Sequence, residues 1–356
     1  MLTRELALYR RLAEQGVEVT LVSEGGPEEE RFRSELGAVH LWCNRDCLDP
    51  QGFRQSVLDR LAAQRGTPAL FKSNQIWGAE FPAMAAQAQG GFFIARCGYL
   101  LSDFMTREHG QGSEAAHQAQ ALEFQVFSRA DACVVTTPAM ALVLKEGYGI
   151  PEERLHVIPN YVDTEAFSPG AFEERCPEEI LFIGRLHEQK NVFALLEAIA
   201  PLPVRLTLIG DGSLRVRLRR QIRQLNLDGR MLGNLPHAAL VPHLRQCGLF
   251  VLPSLYEGHP KTLLEAMACG CPIVATEVSG IRSELRHEVN GYLCGVDVLS
   301  LRGAIAHVLA HPAEARLMGE RARDWAVQQV SLERVVQQEQ WLVERLMSCP
   351  PRSIQD

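Results

Sequence analysis

Two cations and two carboxylates in the second half of the chain have the types and spacing to handle a phosphorylated sugar. Arg185 and Lys190 lie in GRLHEQKN, directly after the apolar run Ile180-Leu181-Phe182-Ile183. Arginine offers a planar fork for paired phosphate oxygens and lysine adds a compact charge, so the pair can offset negative charge growing on a departing diphosphate. Glu257 and Glu265 stand eight positions apart in YEGHPKTLLEAMACGCPIVAT. A carboxylate beside a phosphate site is costly unless a neutral partner donates hydrogen bonds to it, and sugar hydroxyls meet that need. The bland alternatives are two solvated surface cations and an ordinary α/β crossover carrying solvated glutamates.

The elements that must position these side chains are legible around them. Leu249-Phe250-Val251-Leu252, closed by Pro253-Ser254, reads as a buried parallel strand running into a loop. Pro260 stands where a first helical residue belongs, Leu263, Leu264 and Met267 follow at helical spacing, and Gly270 ends the helix. Pro272 bars its continuation before the β-rich run Ile273-Val274-Ala275-Thr276. The first-turn N–H groups of Lys261, Thr262 and Leu263 are then expected to lack intrahelical acceptors, and with the helix dipole they make a phosphate site. Lys261 and Thr262 can add side-chain donors. Ligands of doubly wound sheets bind beyond the carboxyl ends of the strands, which is where Tyr256 to His259 falls. Gly184, after its own strand, permits close backbone approach. Arg205 to Ile209 and Arg230 to Gly233 give two more strands, whose loops at Gly210 and at Leu232-Gly233 lie on the same edge.

The stretch with the two glutamates resembles the donor-binding signature of the retaining family 4 glycosyltransferases, of group 1 type, which have the GT-B fold. The resemblance implies an α/β protein of two Rossmann-like doubly wound domains facing a cleft. It implies that Glu257 faces the donor sugar and that Glu265 accepts from ribose hydroxyls. The backbone of Gly258, His259, Pro260, Lys261, Thr262 and Leu263 would hold the diphosphate. Arg185 and Lys190 would have the phosphate role, and the loop at Leu232-Gly233 would lie near the base. The activity so implied is transfer of a sugar from a nucleotide-diphospho-sugar to an acceptor hydroxyl with retention at the anomeric carbon, in polysaccharide or glycoconjugate biosynthesis. Arg185, Lys190 and Glu257 are its expected catalytic residues. No cofactor and no metal are expected, and a front-face path, in which the leaving phosphate takes the acceptor proton, needs no general base. The acceptor would be a sugar, a lipid-linked sugar or another hydroxyl compound. The resemblance runs over nearly the whole chain and is specific from Ile180 to Leu293.

Length and composition bound the rest. A chain of 356 residues predicts two domains of similar size. Hydrophobic residues make up 46%, yet no run reaches the roughly 18 to 20 apolar residues of a spanning helix, and MLTRELALYRRL has no signal-peptide pattern. A cytoplasmic protein is expected. The net charge of −7 argues against general nucleic-acid affinity. The ten cysteines lack paired metal or redox spacing and read as buried thiols. Arg215, Arg217, Arg219, Arg220 and Arg223 make one helix basic, either as a solvated face or as peripheral contact with anionic lipid at the inner membrane face.

In the first half an amphipathic helix over Leu6, Leu8, Tyr9 and Leu12 precedes a strand at Val17 to Val22. Further strands are expected at Val39 to Trp42, Ala69 to Phe71, Phe92 to Ala95 and Ala132 to Val135, a βα alternation that predicts a parallel sheet. The family places a strand and a glycine-rich loop before the segment matching this first helix, so the first domain is expected to lack its first strand. About 15 to 40 further residues are accordingly expected ahead of Leu2. Lys72-Ser73-Asn74 and Arg96 to Tyr99 end strands and are the first-domain site candidates; many relatives carry a histidine there instead. His109 reads as a loop residue and the Asp163-Thr164-Glu165 turn as no metal site. The expected domains are residues 1–165, a linker at 166–178, a donor domain at 179–330, and a final helix from 331 crossing back before a disordered tail after Cys349. Two rival readings are a sugar-nucleotide epimerase or hydrolase on the same fold, and a sugar-nucleotide-binding relative without chemistry.

Overall fold

The strand pairings of the described residues are all parallel, as runs of buried β-branched and aliphatic residues separated by helices dictate. The computed structural model describes residues 2–64 and 69–349. It divides into two units, one of residues up to Pro159 with the segment from Val335, the other of Asn160–Arg334. The tail after Cys349, expected to be disordered, lies outside the described residues.

In the first unit β1 (Thr20–Ser23) pairs with β2 (His40–Cys43), while β3 (Leu70–Ser73), β4 (Phe92–Cys97), β5 (Ala132–Val135) and β6 (Leu155–Val157) form a separate sheet in that order. No described strand pairs with the free edges of β1 and β3. Burial follows: β4 and β5 are buried throughout, whereas Leu70, Phe71 and Leu21 are only half-buried and Val22 is 39% exposed. The helix Leu2–Glu14 reaches the end of β3, where the Tyr9 hydroxyl donates to Asn74 Oδ1 at 2.5 Å. His109 is the last residue of the helix Leu101–His109 rather than a loop residue, because Gly110 in a left-handed backbone ends that helix one position later.

The second unit carries β7 (Cys176–Ile183), β8 (Arg205–Ile209), β9 (Asp228–Gly233), β10 (Cys247–Leu252), β11 (Ile273–Thr276) and β12 (Tyr292–Cys294). Their order across one sheet is β12-β11-β10-β7-β8-β9. The chain therefore builds outward from β7 to one side, then returns to build from β10 to the other. The loops after β7 and β10 part there, at the point where such sheets take ligands. The core behind them is dense: Phe182, Leu195, Leu206, Phe250, Leu264 and Ile305 are at most 1% exposed.

The stretch 166–178, read as a linker from its polar and proline-bearing composition, packs on this second unit instead. Phe167 is 2% exposed within the same core cluster, and Arg175 is buried. One aromatic ring and one guanidinium, both satisfied by tertiary partners, outweigh the composition. The long C-terminal helical region breaks where expected, into Pro312–Val330 and Leu332–Met347. Asn290-Gly291 is a tight turn and no hairpin, since the residues before it, Glu288-Val289, form no strand. No described helix is long and apolar enough to cross a membrane. The cysteines are free thiols, and burial pushes those of Cys97 and Cys133 up to about 12, which keeps them protonated and unreactive.

Candidate functional site

Four loops meet at the carboxyl edge of the second unit's sheet, held together by backbone. Gly184 N–H donates to Ile209 O (3.0 Å), Leu186 N–H to Asp211 O (2.9 Å) and Gly210 N–H to Gly233 O (2.8 Å). Across the switch point Leu255 N–H donates to Gln189 O (2.8 Å) and the buried Gln189 side chain donates to Tyr256 O (2.9 Å). The glycines permit this closeness. A Cβ on Gly210 would lie 1.9 Å from Gly184 O, and its φ of +131° excludes most L side chains; a Cβ on Gly280 would lie 2.2 Å from Gly258 O. Gly210→Ala is accordingly expected to weaken nucleotide binding about tenfold or more and to destabilise by more than about 1 kcal/mol. Thermal unfolding and calorimetric titration with a nucleoside diphosphate check both effects.

At β9 the register passes from Leu208↔Met231 to Ile209↔Gly233, so Leu232 is the extra residue of a bulge and its side chain is 39% exposed. Gly233 follows with φ +73° and turns the chain out of the strand.

The two catalytic candidates predicted from separate motifs are in contact. Lys190 Nζ donates to Glu257 Oε1, and the fully buried Ser254 donates to the same oxygen at 2.6 Å. The Lys190 and Glu257 side chains are 12% and 6% exposed, so this ion pair is held largely out of water. Arg185 is exposed, and its side chain has no hydrogen bond or ion pair among the described residues.

Pro260 caps the helix Lys261–Ala268 rather than starting it, because its ψ of 110° is extended while its carbonyl already accepts from Leu263 and Leu264 N–H at 3.1 and 3.4 Å. The Leu263 N–H expected to be open is thus engaged, and the Leu263 side chain lies in the core. No side chain caps this helix, and Thr262 N–H has no backbone acceptor among the described hydrogen bonds. The helix closes as expected: Gly270 at φ +63° donates to Met267 O and Cys271 N–H to Ala266 O, a paired C-terminal lock.

Glu265 lies on the buried face of this helix, 2% exposed. Its Oε1 sits 2.7 Å from His237 Nε2, and His237 in turn packs on Phe167. The His259 imidazole is buried with Nε2 3.0 Å from Glu284 Oε1, while its Nδ1 has no partner among the described residues. Its carbonyl is held by Asn160 Nδ2 at 2.8 Å. Sequence reading missed Ser254, Gln189, His237, Glu284, Gly280 and Asn160. Ser254 carried a signal, its place between a strand end and Glu257, as did Gln189, next to Lys190 in GRLHEQKN; the others come from distant segments.

The first-unit candidates are otherwise engaged. Lys72 pairs with Glu339 at 2.7 Å, Asn74 accepts from Tyr9, and Ser73 Oγ accepts from Arg96 N–H. Among the described residues no three His, Cys, Asp or Glu side chains converge as metal ligands.

Two Rossmann-like units of parallel strands, one with a cation and a carboxylate in contact at its switch point, define the GT-B fold. Two glycosyltransferase family models between them match most of the chain. The model of glycosyl transferases group 1 matches residues 164–325, and that of glycosyltransferase family 4 matches residues 5–166. A glycogen synthase of Mycobacterium tuberculosis is 30% identical over 220 residues, 58% of this chain and 52% of that protein. A D-inositol 3-phosphate glycosyltransferase of Geodermatophilus obscurus is 35% identical over 218 residues, 53% of this chain and 47% of that one. The chain thus spans about half the length of these curated relatives. Among solved structures, sucrose-phosphate synthase from Thermosynechococcus elongatus superposes with a TM-score of 0.80 at 22% identity over 96% of this chain and 92% of that one. HepE from Anabaena, in complex with UDP-glucose, superposes at 0.78 and 19% identity over 96% and 95%.

Proposed function

We propose that the protein transfers a sugar from a nucleotide-diphospho-sugar to an acceptor hydroxyl, with retention at the anomeric carbon and without a metal or other cofactor. One observation carries this reading: Lys190, Glu257 and the start of the helix Lys261–Ala268, which no side chain caps, converge at the switch point of the second unit's sheet. The site offers positive charge where a diphosphate would leave and a buried carboxylate where sugar hydroxyls would donate. Arg185, exposed beside Gly184, adds a second cation. HepE, which shares the fold, is in complex with UDP-glucose, which supports a nucleotide sugar as donor.

In the proposed mechanism the diphosphate replaces Glu257 as the partner of the Lys190 ammonium. Ser254 holds the Glu257 carboxylate in place, ready to accept from the donor sugar. The open Nδ1 of His259 supplies a further polar atom in that loop. As the anomeric bond breaks, charge grows on the leaving phosphate, where Lys190, Arg185 and the helix N-terminus stabilise it, and that phosphate takes the acceptor proton. The acceptor is a sugar, a lipid-linked sugar or another hydroxyl compound. Exposed Arg219, Arg220 and Arg223 provide the basic surface for an anionic lipid, whereas Arg215 and Arg217 are paired with Asp211 and Glu188.

Glu265 reads the ribose in this proposal, with His237 occupying it until the donor arrives. Glu265→Gln is expected to weaken donor binding about 10- to 100-fold, the worth of a hydrogen bond to a charged group. The variant should also lose discrimination against 2′-deoxy donors. Equal discrimination by variant and parent would remove Glu265 from that role. The reading as a whole is tested by nucleotide release and NMR of the product's anomeric configuration. Transfer only with acceptor, retaining the donor's configuration, is the expected result. Donor binding without turnover would favour the non-catalytic relative, and turnover without acceptor would favour a hydrolase or epimerase.

A further inference from the structure

A second polar cavity lies in the same unit, at the opposite edge of the sheet. Its volume is about 310 Å³, and it is lined at the beginnings of β7, β8, β9 and β10. That volume is at the lower end of the ~300–1,000 Å³ range of small-molecule sites. Glu179 on its floor precedes Gly184 by five positions, so at about 3.3 Å per residue it lies roughly 16 Å from the loops already described.

The lining follows from the register. Glu179, Arg205 and Asp228 are one rung of neighbours and Leu181, Thr207 and Arg230 the next but one, all on one face of the sheet. A parallel strand covered on both faces is normally apolar at such positions. Here Glu179 and Thr207 are 8% and 1% exposed, and they are satisfied: Thr207 Oγ1 donates to Glu179 Oε1, and Arg230 donates to both at 3.0 and 3.2 Å. Arg205 lies 3.5 Å from Glu179 and donates to Glu178 at 2.7 Å. This floor fixes two guanidinium groups at the rim. Opposite them His243 and Gln246 line the wall, and neither they nor Asp228 has a side-chain hydrogen bond among the described residues.

Charge and hydrogen-bonding capacity choose the ligand. Two guanidinium groups share the lining with two carboxylates, Glu179 and Asp228, and Arg205 is further paired with Glu178, so an anion gains no net attraction. The guanidinium groups in turn repel a metal ion. Burial, followed by the charge of Arg230, holds His243 below the usual histidine range against a smaller opposite effect of Glu179, so the ring is neutral near pH 7 with one donor and one acceptor. Hydroxyl groups, which both donate and accept, are the partners that suit Asp228, His243, Gln246 and the rim arginines together.

We infer that this cavity, lined by Asp228, Arg230, His243 and Gln246, is a second carbohydrate site that takes a neutral sugar unit away from the transfer site. Its role, holding a stretch of glycan acceptor or product, rests on the transferase reading; the binding itself does not. The test is saturation-transfer NMR of the full chain with glucose, galactose, mannose, N-acetylglucosamine and maltotriose, with UDP and inorganic phosphate as further probes. At least one sugar should bind, and Asp228→Ala and Gln246→Trp, both changes of exposed side chains, should each weaken it about tenfold or more while leaving UDP binding unchanged. Lys190→Ala should leave the sugar signal intact. No signal from any of the sugars, phosphate displacing the sugar, or a sugar signal lost in Lys190→Ala but kept in Asp228→Ala would each overturn the inference. Failure of UDP to bind would instead count against the transferase reading.

Discussion

Replacing Lys190 by methionine is expected to lower turnover about 100- to 1,000-fold, the scale on which removing a preorganised charge from a developing anion acts. The same change should destabilise the second unit by about 3 kcal/mol, because it breaks a buried ion pair and leaves Glu257 with Ser254 as its remaining side-chain partner. Two consequences of one substitution are separable by a second. Glu257→Gln in the Lys190→Met background removes the stranded charge, so stability should largely return. Turnover should not return, because the diphosphate still lacks its cation. Chemical denaturation and kcat at saturating donor provide the two readouts. If Lys190→Met kept parental turnover, Lys190 would be a structural partner of Glu257 with no part in catalysis. If the double variant regained turnover with its stability, the loss in the single variant would have been one of folding.

Arg175→Met is expected to cost about 4 kcal/mol, the upper end of what single substitutions do. The guanidinium is 8% exposed and donates to four main-chain carbonyls: Leu244 and Cys247, both at 2.9 Å, Cys269 at 2.8 Å and Gly270 at 3.1 Å. It ties the end of the helix before β10 to the end of the helix that carries Lys261 and Glu265. Methionine fills much of the volume but leaves those carbonyls buried without a donor, each costing about 1–3 kcal/mol before relaxation. Arg175→Lys should fall between, since an ammonium has three donors and no fixed fork. Urea unfolding measures the losses, and nucleotide affinity at low temperature should change little because no site residue is touched. A loss in Arg175→Met under about 1 kcal/mol would mean that water replaces the guanidinium at those carbonyls.

The parallel strands were legible because each is a short apolar run bounded by glycine, proline or polar residues. Ile273–Thr276, Arg205–Ile209 and Ala132–Val135 coincide with their expected bounds. The helix that carries Glu265 was equally legible, since Gly270 admits the left-handed backbone that locks its end. These are local properties, carried by a few adjacent residues. The positions of Arg185, Lys190 and Glu257 in loops just after strands were legible for the same reason, while Glu265 follows from the helix that carries it.

Contacts across long separations were a different matter. Nothing near Glu265 in the chain announces His237, nothing near His259 announces Glu284, and Arg175 sits in a segment whose composition reads as a linker. Likewise Glu179, Arg205 and Arg230 look like scattered surface charges until the register of β7, β8 and β9 lines them up beside one cavity. Sequence by itself determined most of the elements, their parallel sense and the placement of Arg185, Lys190 and Glu257 in strand-end loops, because hydrophobic period and backbone-specific residues act over a few positions. Tertiary structure alone decided which carboxylate meets which cation and which polar groups are buried together, because those outcomes depend on strand order, register and helix packing, which bring together residues from 25 to 267 positions apart, as His259 with Glu284 and Lys72 with Glu339 show.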